Sequence, residues 1–128
     1  MFIARRITVI GLMVACYTTA GVGAARAQDN VRVINGICYG DPKEGKFHEL
    51  DLYLPTRKSF PVVVFAHGGA WMSGDKTSYD FLGRYLGQKG IGSVIVNYRL
   101  SPKIMHPGHV QDAAKAVAWT HANLHKYG

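Results

Sequence analysis

An unbroken apolar run followed by paired glycines, in PVVVFAHGGAWMSGDK at residues 61–76, constrains the fold of this chain more than any other feature. Val62–Ala66 is apolar without alternation, which predicts a strand buried on both faces of a parallel sheet. Gly68 and Gly69 then permit positive φ angles and let another group approach the backbone closely. Because ligands of α/β sheets bind outside the carboxyl ends of the strands, we expect a pocket at this turn.

Backbone amides that face such a pocket can hold the negatively charged oxygen that forms during acyl transfer. The turn therefore indicates acyl-transfer chemistry. The alternative is a tight turn with a purely structural role.

The other strands follow from hydrophobic patterns on both sides of this turn. Val31–Tyr39 is a predicted strand, and Lys43–Lys46 after it is a predicted charged loop. The alternation of apolar and polar residues in His48–Leu54 predicts a strand with one face on the core. A second continuous apolar run within Ile91–Tyr98 predicts another interior strand.

Two amphipathic helices are predicted. The first begins near a capping sequence at residues 77–80 and ends before Gly90, and four apolar residues are expected to cover the sheet: Phe81, Leu82, Tyr85 and Leu86. The second begins at Pro107 and reaches about Lys126, with Trp119 off its expected packing face of Val110, Ala113, Ala114, Val117 and Leu124. Strand, helix and strand from Val62 to Tyr98 make a right-handed βαβ unit, so the predicted fold class is α/β.

Three motifs occur in order along the chain: HGGAW with GDK after it, NYRLSP at Asn97–Pro102, and the stretch Pro107–Asp112. Together they resemble the α/β-hydrolase fold esterases and lipases, in particular the hormone-sensitive-lipase-like and feruloyl-esterase-like carboxylesterases. The resemblance covers residues 31–128. It implies the amino-terminal half of an α/β-hydrolase sheet, with an antiparallel opening hairpin, then a βαβ unit with parallel strands and a following helix.

The resemblance also implies a function. It predicts a serine hydrolase that acts on small-molecule carboxylic esters through an acyl-enzyme, without a cofactor. Amide hydrolases of the same fold, of the arylformamidase or peptidase type, are an alternative. A non-catalytic remnant is a further one.

In the resembling family, the second and third residues after the histidine supply backbone donors of the oxyanion hole. These residues are Gly69 and Ala70 in this sequence. Ala70 replaces the third glycine of the HGGG form and keeps the backbone N–H. The remaining donor of the family comes from the residue after the nucleophilic serine.

The neighbours of these donors are expected to support the loop. The resemblance implies that His67 and Gly68 fix its shape and that Asp75 orders it, and the general base of the family comes later in the chain than His67. Trp71 is expected beside the substrate pocket, with simple core burial as the alternative.

The G-x-S-x-G elbow that carries the nucleophile of this family occurs nowhere in the sequence. None of the triad is identified, and residues 28–128 are expected to form a partial domain, a truncated product or fragment that is inactive alone. Arg99 ends the second interior strand and Asp112 lies on the following helix. We predict that they form a structural ion pair that holds the loop between them.

The charge, the cysteines and the histidines argue against a nucleic-acid partner, a disulfide bond and a metal site. The formal charge of +7 falls to +4 once the three arginines of residues 1–27 are set aside, and the charges left are scattered, so nucleic-acid binding is not expected. Cys38 has no partner for a disulfide after Cys16 is removed, and it is predicted to be buried.

Four histidines lack the neighbouring ligands of a metal site and are predicted to lie on a solvated polar face: His106, His109, His121 and His125.

Residues 1–27 are typical of a signal peptide, with early arginines, an apolar segment at residues 7–16 and an A-x-A sequence before Gln28. The apolar segment is too short for a stable membrane span. We expect cleavage after Ala27 and a secreted or periplasmic protein, with a lipoprotein anchored at Cys16 as the alternative. The oligomeric state cannot be read from the sequence.

Overall fold

The structure, a computed structural model, describes residues 30–127. The predicted signal peptide, its cleavage site after Ala27 and the alternative lipid anchor at Cys16 lie outside these residues. Within residues 30–127, no helix has the length and apolar character needed to cross a membrane.

The described chain folds into one four-stranded sheet with helices on it. The strands are β1 (Val31–Cys38), β2 (Glu49–Pro55), β3 (Val62–Ala66) and β4 (Gly92–Val96), and the α-helices are α1 (Asp80–Gln88) and α2 (Gly108–Asn123). Short 3-10 helices span Pro42–His48, Lys76–Tyr79 and Leu124–Tyr127. The first of these replaces the predicted loop at residues 43–46, because the side chain of Asp41 caps its start.

The sheet has the strand order β1-β2-β4-β3. β1 pairs antiparallel with β2, and β2 pairs antiparallel with β4, whereas β3 and β4 are parallel with Val62 opposite Gly92 and Ala66 opposite Val96. The predicted opening hairpin, βαβ unit and following helix are therefore confirmed. The parallel register brings the carboxyl ends of β3 and β4 to the same edge of the sheet.

Both faces of β2 are buried, so the prediction of a single core face is wrong. Leu50, Leu52 and Leu54 lie in one hydrophobic cluster, while Tyr53 belongs to a second cluster on the other face with Ile95 of β4. The second face is covered because α1 packs over it. Its polar residue, Asp51, is only 3% exposed and pairs with a lysine, which sequence alternation alone does not reveal.

The two apolar strands differ in burial. Every residue of β4 is buried, as predicted for an interior strand. β3 is instead the last strand of the described sheet, and Val63 is 43% exposed. The prediction that Val62–Ala66 is buried on both faces is wrong, because Val63 and Ala66 are exposed and none of the five residues is fully buried.

α1 packs against the sheet through glycines. Gly83 lies against the ring of Tyr53 and Gly87 against the side chain of Val31, and both glycines are buried. Phe81 and Tyr85 are 68% and 56% exposed, so the predicted packing face is wrong for these two. A Cβ at either glycine would collide with the sheet, which shows how closely the helix backbone approaches it.

α2 also packs on a different face from the predicted one. Val110 and Val117 are exposed, and the buried positions are Gly108, His109, Asp112, Ala116 and Thr120. The hydrophobic pattern misleads here because the buried polar side chains have partners: Thr120 donates to the carbonyl of Ala116, and Asp112 accepts from an arginine.

Three smaller predictions are also settled. Trp119, expected off the packing face of α2, is partly buried against the core cluster and packs beside Tyr127, with ring centroids 6.0 Å apart, so that expectation is wrong. Cys38 is exposed, so its predicted burial is wrong. His109 is buried rather than solvated, because its α2 face is turned toward the loop after β3.

Candidate active site

The HGGAW turn begins directly after β3, at the carboxyl end of the parallel pair. His67 is 3% exposed and its ring stacks on Tyr98 with centroids 4.5 Å apart. The Tyr98 hydroxyl donates to the His67 carbonyl over 2.7 Å, and burial raises the pKa of this phenol. Nδ1 of His67 lies 2.8 Å from the carbonyl oxygen of Gly68, so it carries the proton, because a carbonyl only accepts.

The turn from Gly69 to Ser73 is closed by hydrogen bonds, and its first three residues have positive φ angles. The amides of Met72 and Ser73 donate to the Gly69 carbonyl over 3.0 and 3.1 Å. Ala70 and Trp71 have φ angles of 53° and 59°, a region that is unfavourable for residues with a side chain. The φ angle of Gly69 is 126°. A Cβ on Gly69 would collide with the Ser73 carbonyl, so this position requires glycine.

The amides of Gly69 and Ala70 make no hydrogen bond within the described part of the chain. The loop around them is nevertheless fixed, since the amide of Ser101, in the loop after β4, donates to the Trp71 carbonyl over 2.8 Å. Backbone donors that are held in place but unoccupied can receive an anionic oxygen without reorganisation.

Two adjoining cavities lie beside this turn. The larger, of about 580 Å³, is lined by Ala70, Trp71, Met72, Ser101, Pro102, Met105, His106, His109 and Val110. The smaller, of about 270 Å³, reaches the strand ends and is lined by Ala66, His67, Trp71, Tyr98, His109, Val110 and Ala113. Trp71, predicted beside the pocket, borders both cavities and is 60% exposed.

Asp75 closes the turn on its other side. Its carboxylate accepts from the amide and hydroxyl of Thr77 over 3.0 and 2.9 Å, and Lys46 lies 3.3 Å away. Partial burial raises the pKa of Asp75, but the bonds from Thr77 and Lys46 outweigh that effect and lower the pKa to about 2. Asp75 is thus an ionised capping residue, which fits the predicted supporting role better than proton transfer. Gly74 before it packs so closely on the His67 ring that a Cβ would collide.

Behind the turn, Lys76 forms a buried ion pair that sequence reasoning missed. Its ammonium lies 2.7 Å from Asp51 of β2, and both side chains are at most 7% exposed. The side-chain oxygen of Asn97 accepts from the Lys76 amide over 2.6 Å, which fastens the segment after the turn to the end of β4. In the sequence, Lys76 stands out only as part of the GDK motif. Its ion pair could not be predicted because Asp51 lies 25 residues earlier.

Arg99 and Asp112, predicted as a pair, are in contact. The Arg99 guanidinium donates to both carboxylate oxygens at 2.7 Å. Burial raises the pKa of Asp112, but hydrogen bonds from Arg99 outweigh it and the pKa lies below its ordinary value. Nε2 of His48 is 3.2 Å from Asp112 but is not aligned for a hydrogen bond, although it is buried.

Sequence reasoning also missed a contact between Ser101 and His109. The Ser101 hydroxyl oxygen lies 3.2 Å from Nε2 of His109, on the wall of the larger cavity. Eight positions separate the two across an irregular loop, so no periodic pattern links them. Among residues 30–127, no group of three or more His, Cys, Asp or Glu side chains is arranged to hold a metal ion.

A mixed sheet of this order, with an HGGA turn at the end of its first parallel strand, defines the amino-terminal portion of an α/β-hydrolase. Solved structures agree: esterase B from Lactobacillus Rhamnosis superposes with a TM-score of 0.71 and 26% identity, over 77% of this chain and 32% of that one. The BD-FAE family model matches residues 50–128, and the chain belongs to this family.

Two similar curated proteins are named for different reactions, ester hydrolysis and formamide hydrolysis. A "Probable isoprenylcysteine alpha-carbonyl methylesterase" of Oryza sativa subsp. japonica is 35% identical over 99 residues, which are 76% of this chain and 23% of the relative. A "Kynurenine formamidase" of Salmo salar is 35% identical over 83 residues, 63% of this chain and 27% of the relative. The chain thus spans about a quarter of the length of these relatives.

Proposed function

We propose that the protein containing this chain hydrolyses small-molecule carboxylic esters and that the amides of Gly69 and Ala70 hold the oxyanion. The observation that carries this proposal is the state of these two amides. They are bonded to nothing in the described chain, while hydrogen bonds to Gly69 and Trp71 fix the backbone on either side of Ala70. The ester hydrolases among similar proteins support the same reaction class.

The mechanism that we propose is acyl transfer in two steps. A serine hydroxyl, from an elbow that the motifs of this chain do not include, attacks the ester carbonyl carbon, and the carbonyl oxygen takes the negative charge. The amides donate to this oxygen, and each such donor contributes about 3 kcal/mol to transition-state stabilisation. Loss of the alcohol leaves an acyl-enzyme, which water then hydrolyses to the acid. No cofactor enters this reaction.

Amide hydrolysis is the second candidate. A kynurenine formamidase among the relatives favours it. The same turn would serve, because an amide carbonyl also becomes an oxyanion when a nucleophile attacks it.

Hydrolysis of p-nitrophenyl butyrate by the purified protein, compared with hydrolysis of an aryl formamide, tests the proposal. Gly69→Ala should lower kcat/KM for the preferred substrate by roughly a hundredfold, because its Cβ collides with the Ser73 carbonyl and displaces the donors. Gly45→Ala is the matched control, since Gly45 has a φ of 54° but open space around a Cβ. It should keep activity within about threefold. Equal activity of the two variants, or no hydrolysis of either substrate and no labelling by a fluorophosphonate, would refute the proposed function.

For location, we propose export, with cleavage after Ala27. The support is the leader sequence alone. Mass spectrometry of the mature amino terminus decides between this site and lipid attachment at Cys16.

A further inference from the structure

Exposed apolar side chains are concentrated at the larger cavity. Eight large hydrophobic residues of the described chain are exposed, and four of them line this one cavity: Trp71, Met72, Met105 and Val110. A concave surface of this size and composition is typical of a site for an apolar ligand group. Since Ala70 lines the same cavity, an ester held at the proposed oxyanion site would place one of its two organic groups there.

The polar groups on the cavity wall are Ser101, His106 and His109, and the contacts of Ser101 fix the proton position of His109. The Ser101 oxygen lies 3.1 Å from the Ile104 carbonyl and 3.2 Å from Nε2 of His109. The carbonyl and the Met105 sulfur, 3.8 Å from the hydroxyl, only accept, so we assign the serine proton to these acceptors. Nε2 of the neutral imidazole then carries a proton and donates to the serine oxygen.

This tautomer leaves Nδ1 of His109 as a hydrogen-bond acceptor. Within residues 30–127 it has no hydrogen-bond partner, and it stays accessible, because the enclosed side-chain atom without a partner among these residues is Nε2 of His48. An acceptor that lacks a protein partner can take a hydrogen bond from a donor group of a ligand. His109 also borders the smaller cavity, so its ring stands between the strand ends and the apolar site.

We infer that the larger cavity binds an apolar group carrying one hydrogen-bond donor, a hydroxyl or N–H, and that Nδ1 of His109 accepts from it. Ser101 is the positioning residue that keeps Nδ1 free of a proton. The inference rests on the proposed function for the identity of the ligand as part of an ester, but not for the binding itself. His109 is therefore a specificity-determining residue.

Calorimetric titration of the whole purified protein with indole and with 1-methylindole tests this inference without any hydrolysis. The two probes have similar apolar surface, and only indole has an N–H donor. Indole should bind roughly threefold to tenfold more tightly, the net effect of one hydrogen bond. His109→Phe should bind both probes equally. Ser101→Ala should reduce the preference, because the proton on His109 can then move to Nδ1.

Equal binding of the probes by the unmodified protein, or no binding of either, would overturn the inference. An unchanged preference in His109→Phe would also overturn it. If that variant does not fold, imidazole ¹⁵N chemical shifts of the unmodified protein decide. An Nδ1 resonance of the unprotonated type that shifts with indole and not with 1-methylindole supports the assignment, and any other pattern excludes it. Probe discrimination without ester hydrolysis would refute only the proposed function, and hydrolysis without discrimination only this inference.

Discussion

Arg99 donates to both carboxylate oxygens of Asp112 at 2.7 Å, and Asp112 is fully buried. The backbone amide of Arg99 adds a third bond to the same carboxylate over 3.3 Å. Because Arg99 follows β4 and Asp112 lies in α2, the pair fixes the ends of the loop that carries Ser101. That loop in turn holds the Trp71 carbonyl, so the ion pair supports the candidate oxyanion turn from a distance.

Asp112→Asn should lower the free energy of unfolding by about 1.5–3 kcal/mol, because it removes the charged acceptor of two short hydrogen bonds and leaves the largely buried guanidinium only the Glu44 carboxylate, 3.6 Å away. Urea denaturation followed by circular dichroism measures this loss. Lys115→Ala is the control, since Lys115 is half exposed and 3.7 Å from the same carboxylate. It should cost less than about 1 kcal/mol. Similar losses in the two variants would mean that the Arg99 pair is not the main support of the loop.

Asp75→Asn should make stability less dependent on pH in the acid range. The folded pKa of Asp75, about 2, lies below its ordinary value of 3.8, so the ionised form favours the folded state. That contribution is present above about pH 4 and is lost as the pH falls toward 2. We expect the variant to be about 1 kcal/mol less stable at pH 7, a figure reduced for solvent screening, and equal to the parent near pH 2.

Denaturation curves at several pH values measure this difference. Asp41→Asn is the matched control, because Asp41 also caps a 3-10 helix by accepting from the amide two residues later but has no lysine partner among the described residues. A difference between Asp75→Asn and its parent that stays constant from pH 7 to pH 2 would contradict the assigned cause.

Strand positions could be predicted because each strand has a local signal. The run in β4, the alternation in β2 and the glycines after β3 depend on residues close in sequence. The HGGAW turn was accessible from the apolar run and the paired glycines as well as from the family resemblance, and the Arg99–Asp112 contact from the place of these residues at a strand end and on the following helix. What failed was the choice of helix face, since both helices carry apolar residues outward and glycines or partnered polar groups inward.

The missed contacts share one physical cause. Lys76 is buried because it meets Asp51, and His109 is buried because Ser101 and the aromatic rings around it provide its environment. Taken alone, a lysine or a histidine would be predicted to lie at the solvent-exposed surface. Only the fold brings the partners together, so a single sequence gives no sign of their burial.

Gly83→Ala should destabilise the protein by about 1–3 kcal/mol, although alanine favours helices over glycine by about 1 kcal/mol. The new Cβ would collide with the ring of Tyr53, which is 1% exposed. Thermal unfolding measures the effect. Phe81→Ala, on the exposed side of the same helix, should change stability by less than about 0.5 kcal/mol. A stabilised Gly83→Ala variant would show that α1 does not pack on β2 through this glycine.

Lys76→Met should destabilise the protein by about 3–5 kcal/mol, because Asp51 would stay buried without its cation. Asp51→Asn added to this variant should restore much of the loss, since the amide removes the charge while its oxygen still accepts from the Gly36 amide, 2.8 Å from Asp51. Urea denaturation of the parent, the two single variants and the double variant gives the coupling energy between the two positions. A positive coupling above about 1 kcal/mol is expected for a buried pair. Additive losses would mean that Lys76 and Asp51 act independently, and that other contacts, such as the bond from the Lys76 amide to Asn97, hold the segment after the turn.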